Sequence, residues 1–283
     1  MNYRHGFHAG NFADVFKHVF LTRILAYLAR KGTPFRVIDT HAGAGEYDLA
    51  SEEAVRGGEW QDGIGRLADA GDLDVRAREL LRPYLEIVGP LRADGPPARY
   101  PGSPRIVQAM MRGQDRVTFC ELHPQTFADL RANFRRDARI ACLNLDGYIG
   151  LNAGVPPKER RGLVLIDPPF ERTDEFDAAL NALRSAHEKW PTGTYALWYP
   201  VKDASAIARF ATAIVESGIR RVLRLELAVE APLAGGKLAR AGLILINPPY
   251  VLEEEAAILM PALARKLART AQTGILREWL AGE

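Results

Sequence analysis

The sequence feature that most constrains the fold is a short apolar run that ends at two prolines. Residues 162–166 read Gly-Leu-Val-Leu-Ile, and residues 167–170 read Asp-Pro-Pro-Phe. A continuous apolar run of this length is typical of a fully buried parallel strand, which proline cannot continue. Ligands of open α/β sheets bind just beyond the carboxyl ends of the strands, so Asp167 and Phe170 are predicted to lie at a ligand site. On this stretch alone, a strand stop followed by a turn is an equally good interpretation.

Strand-like and helical patterns alternate through much of the chain. Short apolar runs at 35–39, 116–121, 139–143 and 194–200 predict further strands, and helical spacing of apolar side chains separates several of them. The first helix is predicted to begin after Asn11, which has a side chain suited to capping a helix. Strands that alternate with helices predict a doubly wound parallel sheet.

The last two predicted strands, 221–227 and 242–246, are joined by a loop with glycines and without helical spacing. They predict a hairpin, and so an antiparallel last strand in a mixed sheet of seven strands. The second of them leads into residues 247–250, Asn-Pro-Pro-Tyr, which nearly repeat the tetrad at 167–170. Because an antiparallel strand ends at the opposite edge of the sheet, we interpret this copy as a strand stop.

Residues 46–103 interrupt the alternation of strands and helices. They carry seven Lys or Arg against twelve Asp or Glu, they are rich in glycine and proline, and residues 76–88 have helical spacing. We interpret them as an inserted, mostly helical subdomain that acts as a lid or recognition flap, because its negative charge disfavours a phosphate clamp. Residues 1–45 and 104–283 then form the main domain, and residues 1–45 are basic, with six Lys or Arg against two acids.

Polar residues follow several of the predicted parallel strands. The first strand ends at Asp39 and continues into a Gly-rich turn, and later strands lead to Glu121, Asp146 and Asp167. All are predicted to share one edge of the sheet, where a Glu121 carboxylate suits a ribose diol and Asp146 suits an exocyclic amine. The dinucleotide fingerprint G-x-G-x-x-G is absent, because Asp48 stands in place of its third glycine, which argues against NAD or FAD.

Other polar residues have weaker signals. Asp14, Lys17 and His18 are spaced to share one face of the first helix. His5, His8 and His18 lack a carboxylate or cysteine that would complete a recognisable metal set, so we expect hydrogen-bonding histidines at the mouth of a ligand site. Ser103 is interpreted either as a hydroxyl donor to a ligand or as a helix cap.

Composition excludes some classes of protein. No apolar run approaches the ~20 residues of a membrane span, and the N-terminus lacks the apolar region of a signal peptide. Cys120 and Cys142 lie in strand-like runs and are expected to be buried thiols. The formal charge of +2 does not by itself indicate a nucleic-acid partner. We expect a cytoplasmic monomer.

The ordered motifs resemble those of a known class of enzymes. The spacing of Asp39, Gly43 and Gly45, the later strand-end acids and D-P-P-F are similar to class I S-adenosylmethionine-dependent methyltransferases. Further motifs resemble the bacterial 23S rRNA (adenine-2030-N6) methyltransferases over nearly the whole chain: Y-R-H-x-F-H-A-G-N-x-A-D-V-x-K-H, D-T-H-A-G-A-G, Y-P-G-S-P, E-L-H-P and A-L-W-Y-P-V. Phe170 departs from this family, which usually has tyrosine there.

The resemblance implies a Rossmann-like class I methyltransferase fold and a site for S-adenosylmethionine, with S-adenosylhomocysteine as product. It implies that Asp167, Pro168 and Phe170 act on an adenine of 23S rRNA flipped out of its helix, and that Tyr3 and His5 contact the RNA. Direct transfer needs no metal, because the sulfonium charge disappears with the methyl group. The implied cofactor residues are Lys17, His18, His41, Gly43, Ser103, Glu121, Asp146, Gly147 and Asp167.

Three alternatives remain open from sequence. The same site would suit methylation of a DNA adenine or of a protein glutamine amide, and only the resemblance of the N-terminal block favours RNA. A cofactor-dependent RNA-binding assembly factor without turnover is the third alternative, although such a protein has no use for the acid of D-P-P-F. Labelled S-adenosylmethionine offered with rRNA, ribosomal subunits and DNA in parallel discriminates between them.

Overall fold

The computed structural model describes residues 4–69, 71–91, 98–231 and 236–282. The strands within these ranges are β1 (Arg36–Asp39), β2 (Glu46–Asp48), β3 (Arg99–Pro101), β4 (Arg116–Cys120), β5 (Ile140–Leu143), β6 (Gly162–Ile166), β7 (Thr194–Pro200), β8 (Val222–Ala228), β9 (Arg240–Ile246) and β10 (Gly274–Ala281). The α-helices are α1 (Phe12–Ala29), α2 (Glu52–Gly57), α3 (Val75–Val88), α4 (Ser103–Met110), α5 (Pro124–Phe134), α6 (Gly147–Gly154), α7 (Glu175–Lys189), α8 (Ala204–Glu216) and α9 (Leu252–Leu267). Short 3₁₀ turns occupy His5–Phe7, Glu59–Asp62 and Ile64–Leu67.

The main sheet has the strand order β10-β8-β9-β7-β6-β1-β4-β5 in the described part of the chain. Strands β5, β4, β1, β6 and β7 are parallel, whereas β9 is antiparallel to both of its neighbours. The predicted α/β class and the antiparallel hairpin strand are therefore confirmed. The sheet has eight strands where seven were predicted, because β10 adds an antiparallel edge strand next to β8. Its half-exposed positions and its charged Arg277 and Glu278 hide the apolar signal that buried strands carry.

The near copy of the tetrad lies at the other edge of the sheet, as predicted. The Asn247 amide donates hydrogen bonds to the carbonyls of Pro191 and Gly193, at 2.8 and 2.9 Å. Both acceptors precede β7, so they mark the amino ends of the parallel strands. Asn247 has no part in a site at the carboxyl ends.

Two apolar layers cover the sheet. Successive side chains of β6 alternate between them: Leu163 and Leu165 join the layer with α1, α3, α4 and α9, and Val164 and Ile166 join the layer with α7 and α8. All five residues of β6 are buried, which confirms the strand predicted from its apolar run.

Helix α1 is the most buried helix of the first layer, with 15 of its 18 residues buried. Its N-terminus is set by Asn11, whose side chain accepts a hydrogen bond of 2.9 Å from the backbone N–H of Asp14, as predicted. Because the helix packs on β6 and β9 on one side and on α3, α4 and α9 on the others, its polar residues are also buried. Asp14, Lys17 and His18 lie in its first two turns.

The segment 46–103 is bounded by a small antiparallel pair, in which Glu46 of β2 faces Pro101 of β3. The helix predicted at 76–88 is confirmed as α3, and its buried Leu80, Leu81 and Tyr84 belong to the same apolar cluster as α1. The strand pair was not predicted, because three residues are too few to show a period. No helix in the described ranges combines the length and apolar character needed to cross a membrane.

The cysteines match their prediction in part. Cys120 is buried at the end of β4, Cys142 is half-buried in β5, and both are free thiols. Burial raises the pKa of the Cys120 thiol to about 12. The thiol is therefore protonated at neutral pH and packs as a small apolar group.

Candidate active site

A cavity of about 1330 Å³ opens at the carboxyl ends of the parallel strands. Every predicted site residue that the structure describes lies on its wall, whereas Tyr3 is outside the described residues. The fold thus brings together residues that are spread over more than 160 positions of sequence. These wall residues are His5, Lys17, His18, His41, Gly43, Ser103, Glu121, Asp146, Gly147, Asp167, Pro168 and Phe170.

The glycine turn after β1 is tightly enclosed. Gly45 has a φ of 84°, and a Cβ atom there would lie 2.5 Å from the Phe134 ring. Gly147 begins α6, and a Cβ atom there would lie 2.0 Å from the carbonyl oxygen of Thr40. Because a side chain at either position would push the two segments apart, glycine is needed for the backbone of the turn and of α6 to form this wall.

Glu121 fastens the glycine turn to the end of β4. Its carboxylate accepts hydrogen bonds from the backbone N–H groups of Gly43 (3.0 Å) and His123 (2.7 Å). Burial raises the pKa of Glu121, although these two N–H groups act in the opposite direction. Each oxygen holds one N–H donor, so each retains capacity for a second donor from a ligand.

Asp146 caps a helix, a structural role that was not predicted from the sequence. One carboxylate oxygen accepts hydrogen bonds from the backbone N–H groups of Tyr148 and Ile149, at 2.9 and 3.2 Å. It therefore caps α6, where the partial positive charge of the helix N-terminus favours a carboxylate. The cap fixes the direction of this side chain on the cavity wall.

A chain of buried ion pairs crosses the floor of the cavity. The Lys17 ammonium lies 3.0 Å from Asp14 Oδ1 and is also paired with Asp167 Oδ2. Burial alone would lower the pKa of Lys17, but the carboxylates of Asp14 and Asp167 outweigh it and raise that pKa above its usual value. Lys17 is thus a permanent cation that holds the Asp167 carboxylate in one orientation.

Asp14 is a site residue whose part in this ion-pair chain sequence reasoning missed. Its Oδ2 accepts a hydrogen bond of 3.0 Å from the Gly10 N–H and lies 2.9 Å from His5 Nε2. Burial opposes its ionisation, but nearby His5 and Lys17 hold its pKa well below the usual range. The available signal was the three-residue spacing of Asp14 and Lys17, which placed them on one face.

His5 and His8 lie within hydrogen-bonding distance of carboxylates, as expected, whereas a ligand at their cavity stays a prediction. His5 pairs with Asp14, as above, and His8 Nδ1 lies 3.1 Å from a Glu59 carboxylate oxygen. Both histidines line the cavity.

His18 lies on the cavity wall and has one buried ring nitrogen that lacks a hydrogen-bond partner among the described residues. Its Nδ1 is 2.8 Å from the Tyr100 hydroxyl, which in turn is 2.9 Å from the Tyr84 hydroxyl. Burial, reinforced by the charge of Lys17, holds the pKa of His18 well below its usual value, so the ring is neutral. Its buried Nε2 has no hydrogen-bond partner among the described residues. Buried polar atoms are seldom left unpaired, so Nε2 is suited to a ligand.

Ser103 contacts Asp39, which corrects both interpretations made from sequence. Its hydroxyl donates a hydrogen bond of 2.7 Å to Asp39 Oδ2, so that proton is not free for a ligand, and the N-cap of α4 is Gly102. The Ser103 oxygen remains able to accept a hydrogen bond. Asp39 is fully buried, and burial raises its pKa to about 7.

The raised pKa of Asp39 predicts a pH-dependent stability. The folded-state pKa of about 7 exceeds the ordinary value of 3.8, so the folded protein binds this proton more tightly than the unfolded chain does. The resulting contribution to the free energy of unfolding is fully present below about pH 4 and is lost as the pH rises to 7. Asp39→Asn is neutral throughout, so we expect the variant to gain free energy of unfolding relative to the parent between pH 4 and 7, with no further change above. Urea denaturation of both proteins across this range measures the difference. A difference that is constant with pH contradicts the prediction.

Aromatic side chains form the wall beside Asp167. Phe170 has a φ of 49°, in the left-handed region that bulky residues rarely adopt, and such strain concentrates at functional sites. Its ring centroid lies 4.8 Å from that of Phe176 and 5.9 Å from that of Trp198. Trp198 lines the cavity, whereas Tyr199 is buried in the core and donates a hydrogen bond of 2.6 Å to Glu226. Of these two adjacent aromatic residues of β7, only Trp198 lines the cavity.

His41 extends this wall toward the glycine turn. Its ring centroid is 5.3 Å from that of Tyr148, whose hydroxyl donates a hydrogen bond of 2.7 Å to Glu175. Burial lowers the pKa of His41 to about 4, so the ring is neutral at pH 7. It can therefore offer a ligand an apolar face or one hydrogen bond, but no charge.

The sheet order, the glycine turn and the acid-Pro-Pro-aromatic segment at one edge together define a Rossmann-like methyltransferase. Comparison with known proteins narrows this class. The chain belongs to the family described as "Ribosomal RNA large subunit methyltransferase D, RlmJ", whose model matches residues 32–281.

Individual relatives agree with this family. The chain is 39% identical to the ribosomal RNA large subunit methyltransferase J of Escherichia coli (strain K12), over 283 residues that cover 100% of both proteins. It is also 39% identical to the protein of that name from Haemophilus influenzae, again over the full length of both. The crystal structure of protein LPL1258 from Legionella pneumophila superposes with a TM-score of 0.86 at 34% identity, covering 96% of this chain and 98% of that one.

Proposed function

We propose that this protein transfers a methyl group from S-adenosylmethionine to the N6 amine of an adenine in large-subunit ribosomal RNA. The observation that carries the proposal is the Asp167 carboxylate, which lies on the cavity wall, is oriented by Lys17 and stands beside the aromatic Phe170. Membership of the rRNA methyltransferase family supports the substrate class. The relatives named above are large-subunit enzymes by name, which favours large-subunit rRNA.

Several residues of the cavity wall besides Asp167 fit a nucleoside-type methyl donor. When bound, S-adenosylmethionine supplies an electrophilic methyl group on a positively charged sulfur. Glu121 would accept ribose hydroxyls, and the unpaired Nε2 of His18 would gain a hydrogen-bond partner. Glycine at positions 43 and 147 lets the cavity wall pack closely, because a Cβ atom there would meet the Tyr47 hydroxyl or the Thr40 carbonyl. The capped Asp146 would hold an amine.

Asp167 and Pro168 would prepare the acceptor amine. The lone pair of adenine N6 is delocalised into the ring, which makes the nitrogen a weak nucleophile. Hydrogen bonds from the two N6–H groups to the Asp167 carboxylate and the Pro168 carbonyl would localise that lone pair. Since the strand stops before the prolines, no neighbouring strand competes for the Pro168 carbonyl. Lys17 keeps the carboxylate in place.

Phe170 would hold the target base by stacking. The N6 amine of a base that is stacked inside an RNA helix cannot enter a deep cavity of a protein. The base must therefore be flipped out of the helix to reach Asp167. The Phe170 ring is fixed by Phe176 and Trp198 and lies next to that carboxylate, which suits it to cover one face of the base.

Substitution of Phe170 tests this stacking. We expect Phe170→Ala to raise the KM for RNA by about 5- to 150-fold, because one stacked base contributes about 1–3 kcal/mol. Phe170→Tyr keeps the ring and should stay within about threefold of the parent. Steady-state kinetics with rRNA, together with the Kd for S-adenosylmethionine, measures both variants. An unchanged KM in Phe170→Ala would show that the ring does not hold the base.

The substrate itself is tested with labelled S-adenosylmethionine. Protein-free rRNA, assembled large subunits and plasmid DNA are incubated with the enzyme in parallel, and labelled RNA is digested to nucleosides. The proposal expects label in RNA as N6-methyladenosine. Label only in DNA or only in protein refutes it, and RNA binding without any label would indicate a non-catalytic assembly factor.

A further inference from the structure

The charges around the cavity are unfavourable for most approaches of an RNA strand. Its wall carries eleven Asp or Glu residues and five Lys or Arg residues. An acidic wall suits a sulfonium donor, but it repels the phosphates on either side of a flipped nucleotide. A polyanion must therefore approach where cations lie at the mouth.

Three of the five cations are already engaged. Lys17 is buried between two carboxylates, as described above. Arg4 pairs with Glu53 at 2.9 Å, and Arg172 pairs with Asp174 at 2.7 Å.

The other two cations are Lys202 and Lys237. Both are exposed, and within the ranges that the structure describes neither has a carboxylate partner within 4 Å. Lys237 helps to lower the pKa of the nearby Glu59 carboxyl without contacting it, and both ammonium groups remain exposed to a ligand from solvent.

Lys202 and Lys237 lie on the side of the cavity that holds the acceptor residues. Lys202 follows the end of β7, the strand that pairs with β6 and carries Trp198. Lys237 precedes β9, which pairs with β7 so that Pro200 faces Ala241. The two lysines thus lie at neighbouring strand ends, on the same cavity wall as Phe170 and Trp198.

We propose that Lys202 and Lys237 bind the phosphates that flank the target adenosine, and so set the direction in which the RNA strand crosses the cavity mouth. This inference rests on the proposed rRNA substrate. A lysine ammonium is a mobile point charge, which suits contacts with a flexible single-stranded backbone. Such contacts add affinity without reading sequence.

The test measures the salt dependence of RNA binding for Lys202→Gln, Lys237→Gln and the double variant. Each lost phosphate contact should reduce the slope of log Kd against log[KCl] by about 0.7–0.9. At 0.15 M salt the same contacts correspond to a weakening of about fourfold for each lysine and about 15-fold for the pair. Lys158→Gln is the matched control, because Lys158 is exposed and lies away from the cavity wall. The Kd for S-adenosylmethionine should match the parent in all four variants.

The outcomes separate this inference from the proposed function. If the parent methylates rRNA and the lysine variants keep the parent's slope and Kd, the phosphate contacts are refuted while the function stands. If the parent binds rRNA without methylating it, the function fails, and the binding slopes still report on the lysines. A similar loss in Lys158→Gln would indicate a general charge effect and would also overturn the inference.

Discussion

Asp167→Ala should abolish methyl transfer while leaving most of the affinity for S-adenosylmethionine. The variant loses the acceptor that would polarise the target amine, and positioned groups of this kind contribute about 10²–10⁴-fold to a rate. Lys17 keeps its contact with Asp14 at 3.0 Å, so the substitution leaves no buried cation without a partner. Single-turnover kinetics at saturating donor and rRNA measures the loss, and equilibrium titration measures the donor Kd.

Two further substitutions make this result specific. Asp167→Asn keeps the size of the side chain and one acceptor oxygen but loses the charge that pairs with Lys17, so we expect intermediate activity. Asp177→Ala removes an exposed acid in the first turn of α7, ten residues from Asp167 and outside the cavity wall, and should behave like the parent. Full activity in Asp167→Ala would remove the basis of the proposed function.

Glu255→Ala should lower the free energy of unfolding by about 3–5 kcal/mol, because it leaves a buried guanidinium without its counter-charge. Glu255 of α9 accepts two hydrogen bonds from Arg23 of α1, at 2.8 and 2.7 Å, and both side chains are less than 10% exposed. The remaining contact that Arg23 makes is a long one, 3.4 Å, to the Leu80 carbonyl of α3. The pair therefore ties together the helices that position Lys17 and His18.

Replacing both Arg23 and Glu255 distinguishes the cost of an unpaired buried charge from the cost of a lost packing contact. Arg23→Met combined with Glu255→Leu should be within about 1 kcal/mol of the parent or more stable, since apolar replacements of buried ion pairs avoid the cost of desolvation. Glu79→Ala breaks the exposed pair with Arg76 and should change stability by less than about 0.5 kcal/mol. Urea denaturation measures all three variants. Equal losses in the single and double variants would contradict this account.

The fold class was predictable because its signals are local. A buried strand needs a continuous apolar run, and the run at 162–166 is buried at every position. The absence of helical spacing between β8 and β9 was enough to predict that they form a hairpin. The hairpin in turn places Asn247 at the edge of the sheet opposite to Asp167. The edge strand β10 gave no comparable signal, because its side chains are only partly covered.

Part of the site was predictable for the same reason. Parallel strands share an edge, so Glu121, Asp146 and Asp167 were expected to meet once their strands were recognised, and all three line one cavity. The roles of these residues in binding and transfer remain predictions that the variants above test.

Sequence by itself thus determined which strand ends meet at the cavity and which near copy of the tetrad lies elsewhere. Only the tertiary structure decided which side chains touch: Lys17 with Asp167 across 150 residues, Ser103 with Asp39 across 64, and His18 with Tyr100 across 82. The physical reason is that periodicity reports the face on which a residue lies. Contacts between distant residues depend instead on how helices and strands pack against one another, and that packing is set by the whole buried core.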